Sequence, residues 1–263
     1  MDNFSTRGLQ SLFSYPFRKP DWGKKLLILA GFYLGGLIIP VIPWIFAYGY
    51  TAEVTRRAVS ESDPALPEWD HWNELLMDGL RLFAISLVFI LPLAAIYLVG
   101  FGTYFGVSLG SISLAEHSRN VGPWIIALFG SLGVFMCSLM CGTLLSIVGG
   151  VLMPAATTHV IVKRSFGAFF HLREWWRIFR ANLGGYIIYI VLLYGLVFLL
   201  QMVYTILAWT LFLLPFAFII PFIAAPYLSL VVAILFGRIY REGLDNLALA
   251  AEPEPAPAAE SAG

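Results

Sequence analysis

Two His-x-x-Glu pairs, His71 with Glu74 and His171 with Glu174, have a spacing that puts both side chains on one helical face. There they could share a metal ion. Metal-binding helical bundles use the reverse order, Glu-x-x-His, and add glutamates from other helices. The expected role of both pairs is therefore that of solvated helix faces, and no metal is implied. Cys137 and Cys141, the two cysteines, lie four apart in one long apolar run. Helical neighbours at that spacing hold their Cβ atoms about 5–6 Å apart, whereas a disulfide needs about 3.8 Å. They are expected to be free, buried thiols that act as small hydrophobes. Glu116 and His117 sit in a short polar stretch and read as solvated. No glycine-rich phosphate loop, Ser-His-Asp arrangement or metal cluster is recognisable, so no catalytic residue and no cofactor is expected.

Both His-x-x-Glu pairs fall on amphipathic stretches. Over 68–81, Trp69, Trp72, Leu75, Leu76 and Leu80 project on one arc, with an acidic stripe of Asp70, Glu74 and Asp78 opposite. Over 169–180, Phe169, Leu172, Trp175, Trp176 and Phe179 oppose a basic stripe of Arg173, Arg177 and Arg180, with Lys163 and Arg164 nearby. Large moments with tryptophan on the apolar arc describe helices lying in a membrane interface. The stripes have two readings: they pair with each other, or the acidic one is solvated while the basic one meets anionic lipid, at about 1 kcal/mol per basic residue. These six residues are the candidate contacts to another helix or to a partner.

The elements that must position them are membrane helices. Of 263 residues, 59% are hydrophobic and only 12% charged, and mean hydropathy is +0.81. A soluble domain carries about 25% charged residues, so lipid must cover much of this surface. Net charge is zero, which points away from a nucleic-acid partner. The N-terminal stretch is polar and aromatic with five basic residues, Arg7, Arg18, Lys19, Lys24 and Lys25, unlike a cleaved signal peptide. Residues 252–263 read as a disordered tail.

The long apolar blocks are 26–50, 82–110, 124–162 and 183–236. Pro215 and Pro221 punctuate the last, which divides into 183–207 and 213–237, and Pro154 is expected to end the spanning part of the third. As a single span, the first block leaves ten of the 16 Lys and Arg on one side and six on the other. With Pro40 and Pro43 breaking it into a hairpin, all but Arg119 fall on one side, as the positive-inside rule requires. The fold class is therefore an all-α integral membrane protein of three helical hairpins, about 21–58, 82–154 and 183–237. It has five to six membrane segments, the first hairpin being short enough to be re-entrant. Residues 1–25 form a cytoplasmic segment, 26–242 one membrane domain, and 243–263 the C-terminal end. Both termini are expected in the cytoplasm, with the chain in the plasma (inner) membrane.

The expected spans contain no Asp, Glu, Lys or Arg, and Gln201 is their one strongly polar side chain. Proton relays and ion pathways need intramembrane charge, so coupled ion transport loses ground. Small residues at four-residue spacing recur at Gly31/Gly35, Gly102/Gly106/Gly110 and Gly133/Cys137/Cys141. They permit close helix packing, expected within the chain, with packing between copies as the alternative.

The assembled stretches resemble the DUF4013 family of uncharacterised prokaryotic multi-pass membrane proteins. They are Tyr15-Pro16-Phe17-Arg18-Lys19-Pro20-Asp21-Trp22 with Lys24-Lys25, Leu66-Pro67-Glu68-Trp69-Asp70 through Asp78-Gly79-Leu80, Met153-Pro154-Ala155, and Ser165-Phe166-Gly167-Ala168-Phe169. The Pro-Glu-Trp-Asp stretch is the most specific, and after Phe169 the chain is more aromatic and basic than the family pattern. The resemblance implies a membrane fold and no particular activity. The expected function is a non-enzymatic scaffold or accessory subunit, with the bilayer and a membrane or cytoplasmic protein as partners. The alternative is a passive or weakly coupled transporter of apolar or lipid-like molecules, and a membrane enzyme ranks third.

Overall fold

A computed structural model describes residues 6–17, 20–61, 64–115, 121–210 and 214–251. Glu116, His117, Arg119 and the tail from Glu252 lie outside the described residues. The helices are α1 (Thr6–Ser14), α2 (Trp22–Ile38), α3 (Ile42–Ser60), α4 (Trp72–Ala115), α5 (Gly122–Lys163), α6 (Leu172–Ala181), α7 (Leu183–Trp209) and α8 (Leu214–Leu249). Short 3-10 turns occupy Tyr15–Phe17 and Phe166–Phe170. Among the described residues there is no strand.

Among the described residues, four helices are long and apolar enough to cross a membrane: α4, α5, α7 and α8. This is fewer than the five to six segments expected from the apolar blocks. The difference lies in α2 and α3, which have 17 and 19 residues, and in Glu53, Arg56 and Arg57, which interrupt the apolar character of α3. A tight turn joins the two. Val41 has φ 78 and ψ −60, and the Ile42 amide donates to the Pro40 carbonyl at 3.1 Å. This is a γ-turn, a strained conformation for a β-branched residue.

The stretch expected to form a separate helix over 68–81 divides differently. Residues 64–71 are not helical, and Trp72 opens a helix of 44 residues, α4. Pro67 lacks an amide donor, and other helices capture the carbonyls around it. Beyond Trp72 no residue breaks the helix before the apolar run begins. Pro154, expected to end its span, sits inside α5, which runs on to Lys163. Apolar helices tolerate such prolines where neighbours satisfy the freed carbonyl. At 1.5 Å per residue α4 is about 66 Å long, twice the roughly 30 Å hydrocarbon core of a bilayer.

The chain packs as two compact units, residues 1–82 with 155–263, and residues 83–154. In the first, α3 is the central helix: Ile45, Ala47, Gly49, Tyr50, Ala52, Val54, Thr55 and Ala58 are all buried. Small residues let its neighbours approach backbone to backbone. A Cβ on Gly49 would lie 1.9 Å from the Leu75 carbonyl oxygen, and one on Gly79 would lie 1.9 Å from that of Ile45. The two glycines thus form a reciprocal crossing of α3 with the start of α4. Arg241 of α8 donates to the carbonyls of Val59, Ala58 and Glu61. It thereby caps the orphan acceptors at the C-terminus of α3 with a favourable charge. Asn182, between α6 and α7, accepts from the Gly185 amide and donates to the Ile239 carbonyl and to Glu242, fixing that corner on α8.

The second unit is an antiparallel pair, the apolar parts of α4 and α5. Phe101 and Tyr104 pack on Phe135 with ring centroids 4.9 and 5.4 Å apart. Gly100 faces Ser138, Gly142 faces Tyr97 and Gly149 faces Phe89, each too close to admit a Cβ without movement. Gly102, Gly106, Gly110 and Gly133, expected to mediate internal packing, have no atom within 4 Å of where a Cβ would stand. Cys137 and Cys141 are free but exposed, not buried. Outward surface here is apolar, including Leu98, Leu109, Ile126, Phe129 and Met140.

Candidate functional site

The Leu66–Asp70 stretch acts as a clasp between helices. The Lys25 ammonium, only 7% exposed, donates to the Leu66 carbonyl at 3.0 Å and pairs with Glu68. The Tyr50 hydroxyl donates to the Pro67 carbonyl at 3.1 Å, and burial keeps that hydroxyl above its ordinary pKa, a neutral donor. The Trp69 indole donates to the Lys25 carbonyl at 3.3 Å and stacks on Tyr50, centroids 4.1 Å apart and rings nearly parallel. Phe32 stacks on the same indole at 5.2 Å. Each residue of Leu66-Pro67-Glu68-Trp69 therefore holds α2 or α3, which accounts for the stretch without a ligand.

A buried ionic group lies where α3, α4 and α5 meet within the same unit. Asp78 is 5% exposed and accepts from both Arg56 and Arg81. Arg56 also pairs with Glu53 and donates from Nε to the Ile161 carbonyl at 3.3 Å. Glu53 in turn accepts from Arg57 at 3.1 Å. Two carboxylates face three guanidiniums, so neither carboxylate is left uncompensated, as burial of charge requires.

A second polar group joins α5, α6 and α8. His159, 1% exposed, has Nδ1 2.7 Å from the Tyr240 hydroxyl, and Nε2 3.3 Å from Glu174 Oε2. The Tyr240 hydroxyl and Nδ1 share one hydrogen bond, whose direction follows the tautomer of the ring. The Nε2 contact is poorly aligned and is chiefly electrostatic. Lys163 Nζ and His171 Nδ1 each lie 3.7 Å from the same carboxylate.

The expected acidic and basic stripes do not pair among the described residues. Asp78 turns to Arg56 and Arg81, Glu74 to Arg164 at 3.1 Å, and Asp70 lies 3.8 Å from His71. Arg173, Arg177 and Arg180 are exposed and form no ion pair with a described residue. The reason is spatial: α3 supplies Arg56 beside α4, and Arg164 follows α5, so nearer cations pair with Asp78 and Glu74. The two His-x-x-Glu pairs likewise serve different neighbours. Sequence reasoning missed Glu53, Arg56, His159, Tyr240 and Arg241 as partners. A signal existed for the first two, since Glu53 precedes Arg56 and Arg57 at i,i+3 and i,i+4 among small residues.

A family model described as "Protein of unknown function (DUF4013)" matches residues 33–209. No curated protein and no solved structure matches the chain. The matched stretch contains the Trp69 clasp, the Arg56–Asp78 group and the whole of α6.

Proposed function

We propose that this chain, which belongs to the DUF4013 family, is a non-enzymatic membrane scaffold or accessory subunit. One observation carries the reading: the charged groups of the first unit, buried at Lys25 and Asp78 and half-buried at Arg56 and Arg241, join helices to one another. Arg56 links α3 to Asp78 of α4 and to a carbonyl of α5, Lys25 links α2 to the clasp, and Arg241 links α8 to the end of α3. Groups fixed in this way by protein partners build a rigid platform. In this reading α4, α5, α7 and α8 cross the plasma membrane, the α2–α3 pair is a re-entrant hairpin, and α6 lies in the interface. Both termini are cytoplasmic. All Lys and Arg except Arg119 belong to residues 1–82 and 155–263, which supports that orientation.

Cross-linking the full chain in its native membrane, then purifying it in mild detergent, tests the role. A protein partner at fixed stoichiometry is expected. A chain that purifies alone, with a lipid-like molecule held among its helices, would move the reading to a transporter of apolar molecules.

A further inference from the structure

We infer that the outward face of α6 is a binding site for the headgroup of an anionic phospholipid. The ten residues of α6 divide into sides with different tasks. Trp175, Ile178 and Phe179 are buried. A Cβ on Gly243 of α8 would lie 2.8 Å from the Ile178 carbonyl oxygen, so this side is closed by α8. Glu174 leaves from a second side, toward His159 and Lys163 of α5. Arg173, Arg177 and Arg180, at i, i+4 and i+7, fall opposite the buried side, and all three are exposed. Between these arginines and the buried side stand Leu172, 62% exposed, and Trp176, 42% exposed. Trp176 is held in place by stacking on Phe179 at 5.3 Å.

Three guanidiniums without a carboxylate partner among the described residues, beside two exposed apolar side chains, complement one kind of molecule. It must offer phosphate oxygens at one level and hydrocarbon at the next. Guanidinium forks match phosphate oxygens two at a time, and Leu172 with Trp176 gives an acyl chain a surface on which to lie. At the head of the stripe is a concavity of about 530 Å³, lined by Phe170, His171, Leu172, Arg173, Glu174 and Arg177. That size suits a small polar ligand. The one carboxylate in it, Glu174, is compensated by Lys163 and lies beside His159 and His171, so it does not cancel the arginines. A soluble acidic peptide would use the arginines and leave the apolar shoulder unoccupied. The lipid uses both.

The inference rests on the interfacial placement of α6 proposed above, and its test separates the two. The full chain is reconstituted in nanodiscs of phosphatidylcholine, with and without phosphatidylglycerol. Quenching by brominated phosphatidylcholine, taken as the difference between the native chain and Trp176→Phe, reads placement independently of headgroup charge. Quenching of Trp176 is expected, and its absence overturns the placement and the inference together. Native mass spectrometry then reads the lipid retained. Preferential retention of phosphatidylglycerol is expected, weakened about fivefold by each of Arg173→Gln, Arg177→Gln and Arg180→Gln, the factor that about 1 kcal/mol per basic residue represents. Lysine at the same three positions keeps the charge without the fork, so it retains more of the preference than glutamine and less than arginine, and it controls for folding. If Trp176 is quenched while the triple glutamine variant retains as much phosphatidylglycerol as the native chain, the headgroup site is refuted. If inorganic phosphate displaces phosphatidylglycerol, the site belongs to soluble anions, and the inference fails on that ground.

Discussion

Asp78 shows how far a side chain's position can depart from its place on a helical projection. The projection sets it on a polar arc with Asp70 and Glu74, as if all three faced water. In the fold Asp70 and Glu74 are exposed and Asp78 is buried, because Arg56 and Arg81 converge on it. A projection separates polar from apolar residues, but it cannot tell a polar group that meets water from one that meets a buried cation. Their energetic weights should differ accordingly. Removing one partner of a buried ion pair costs about 3–5 kcal/mol, so Asp78→Ala should destabilise the chain by about 3 kcal/mol in a detergent denaturation series. Glu74→Ala, which breaks an exposed contact to Arg164, should cost no more than about 1 kcal/mol. The double replacement Arg56→Met, Asp78→Leu should recover much of the loss, since a buried pair exchanged for apolar side chains is often close to neutral. Equal effects from Asp78→Ala and Glu74→Ala would show that the buried group is not what joins α3 to α4.

At the level of elements, the helices and their apolar character were legible, while their bounds and pairings were less so. Hydropathy locates the apolar runs of α4, α5, α7 and α8, because long uninterrupted runs admit no other structure in lipid. It does not reveal that the clasp at Leu66–Trp69 removes 64–71 from α4, since that depends on Lys25 and Tyr50, far away in sequence. Glycine spacing misleads for a similar reason. The stripe at Gly102, Gly106 and Gly110 is more regular than the isolated Gly49 and Gly79, yet only the latter two sit where another backbone touches them. Gly49→Ala or Gly79→Ala should force α3 and α4 apart, at a cost of about 2 kcal/mol or more, the usual range for overpacking. Gly106→Ala should be neutral or slightly stabilising, as glycine is a poor helix residue. Thermal unfolding of the three purified variants gives the comparison, and a destabilised Gly106→Ala beside a tolerant Gly49→Ala would reverse the assignment.

For the whole molecule, charge and compactness give a concordant picture. Fifteen of the 16 Lys and Arg belong to residues 1–82 and 155–263, and Arg119 alone of them belongs to residues 83–154. The sequence reading reached a one-sided charge distribution by breaking the first apolar block at Pro40 and Pro43, and the γ-turn at Val41 lies between those prolines. What hydropathy could not supply is why a hairpin so short and so charged should be stable. The answer lies in Tyr50, Arg56 and Arg241, which tie α3 to three other segments. The central claim is that this hairpin returns to the side it came from, so that the charged segments share the cytoplasmic face. Single-cysteine labelling with a membrane-impermeant reagent, in a chain with Cys137 and Cys141 replaced by alanine, tests it most directly. Ser60→Cys, at the exposed end of α3, should stay unlabelled in intact cells and react only after permeabilisation. Thr210→Cys, just beyond α7, should react in intact cells. Labelling of Ser60→Cys from outside an intact cell would contradict the account, because the first apolar block would then cross the membrane once and reverse every segment after it.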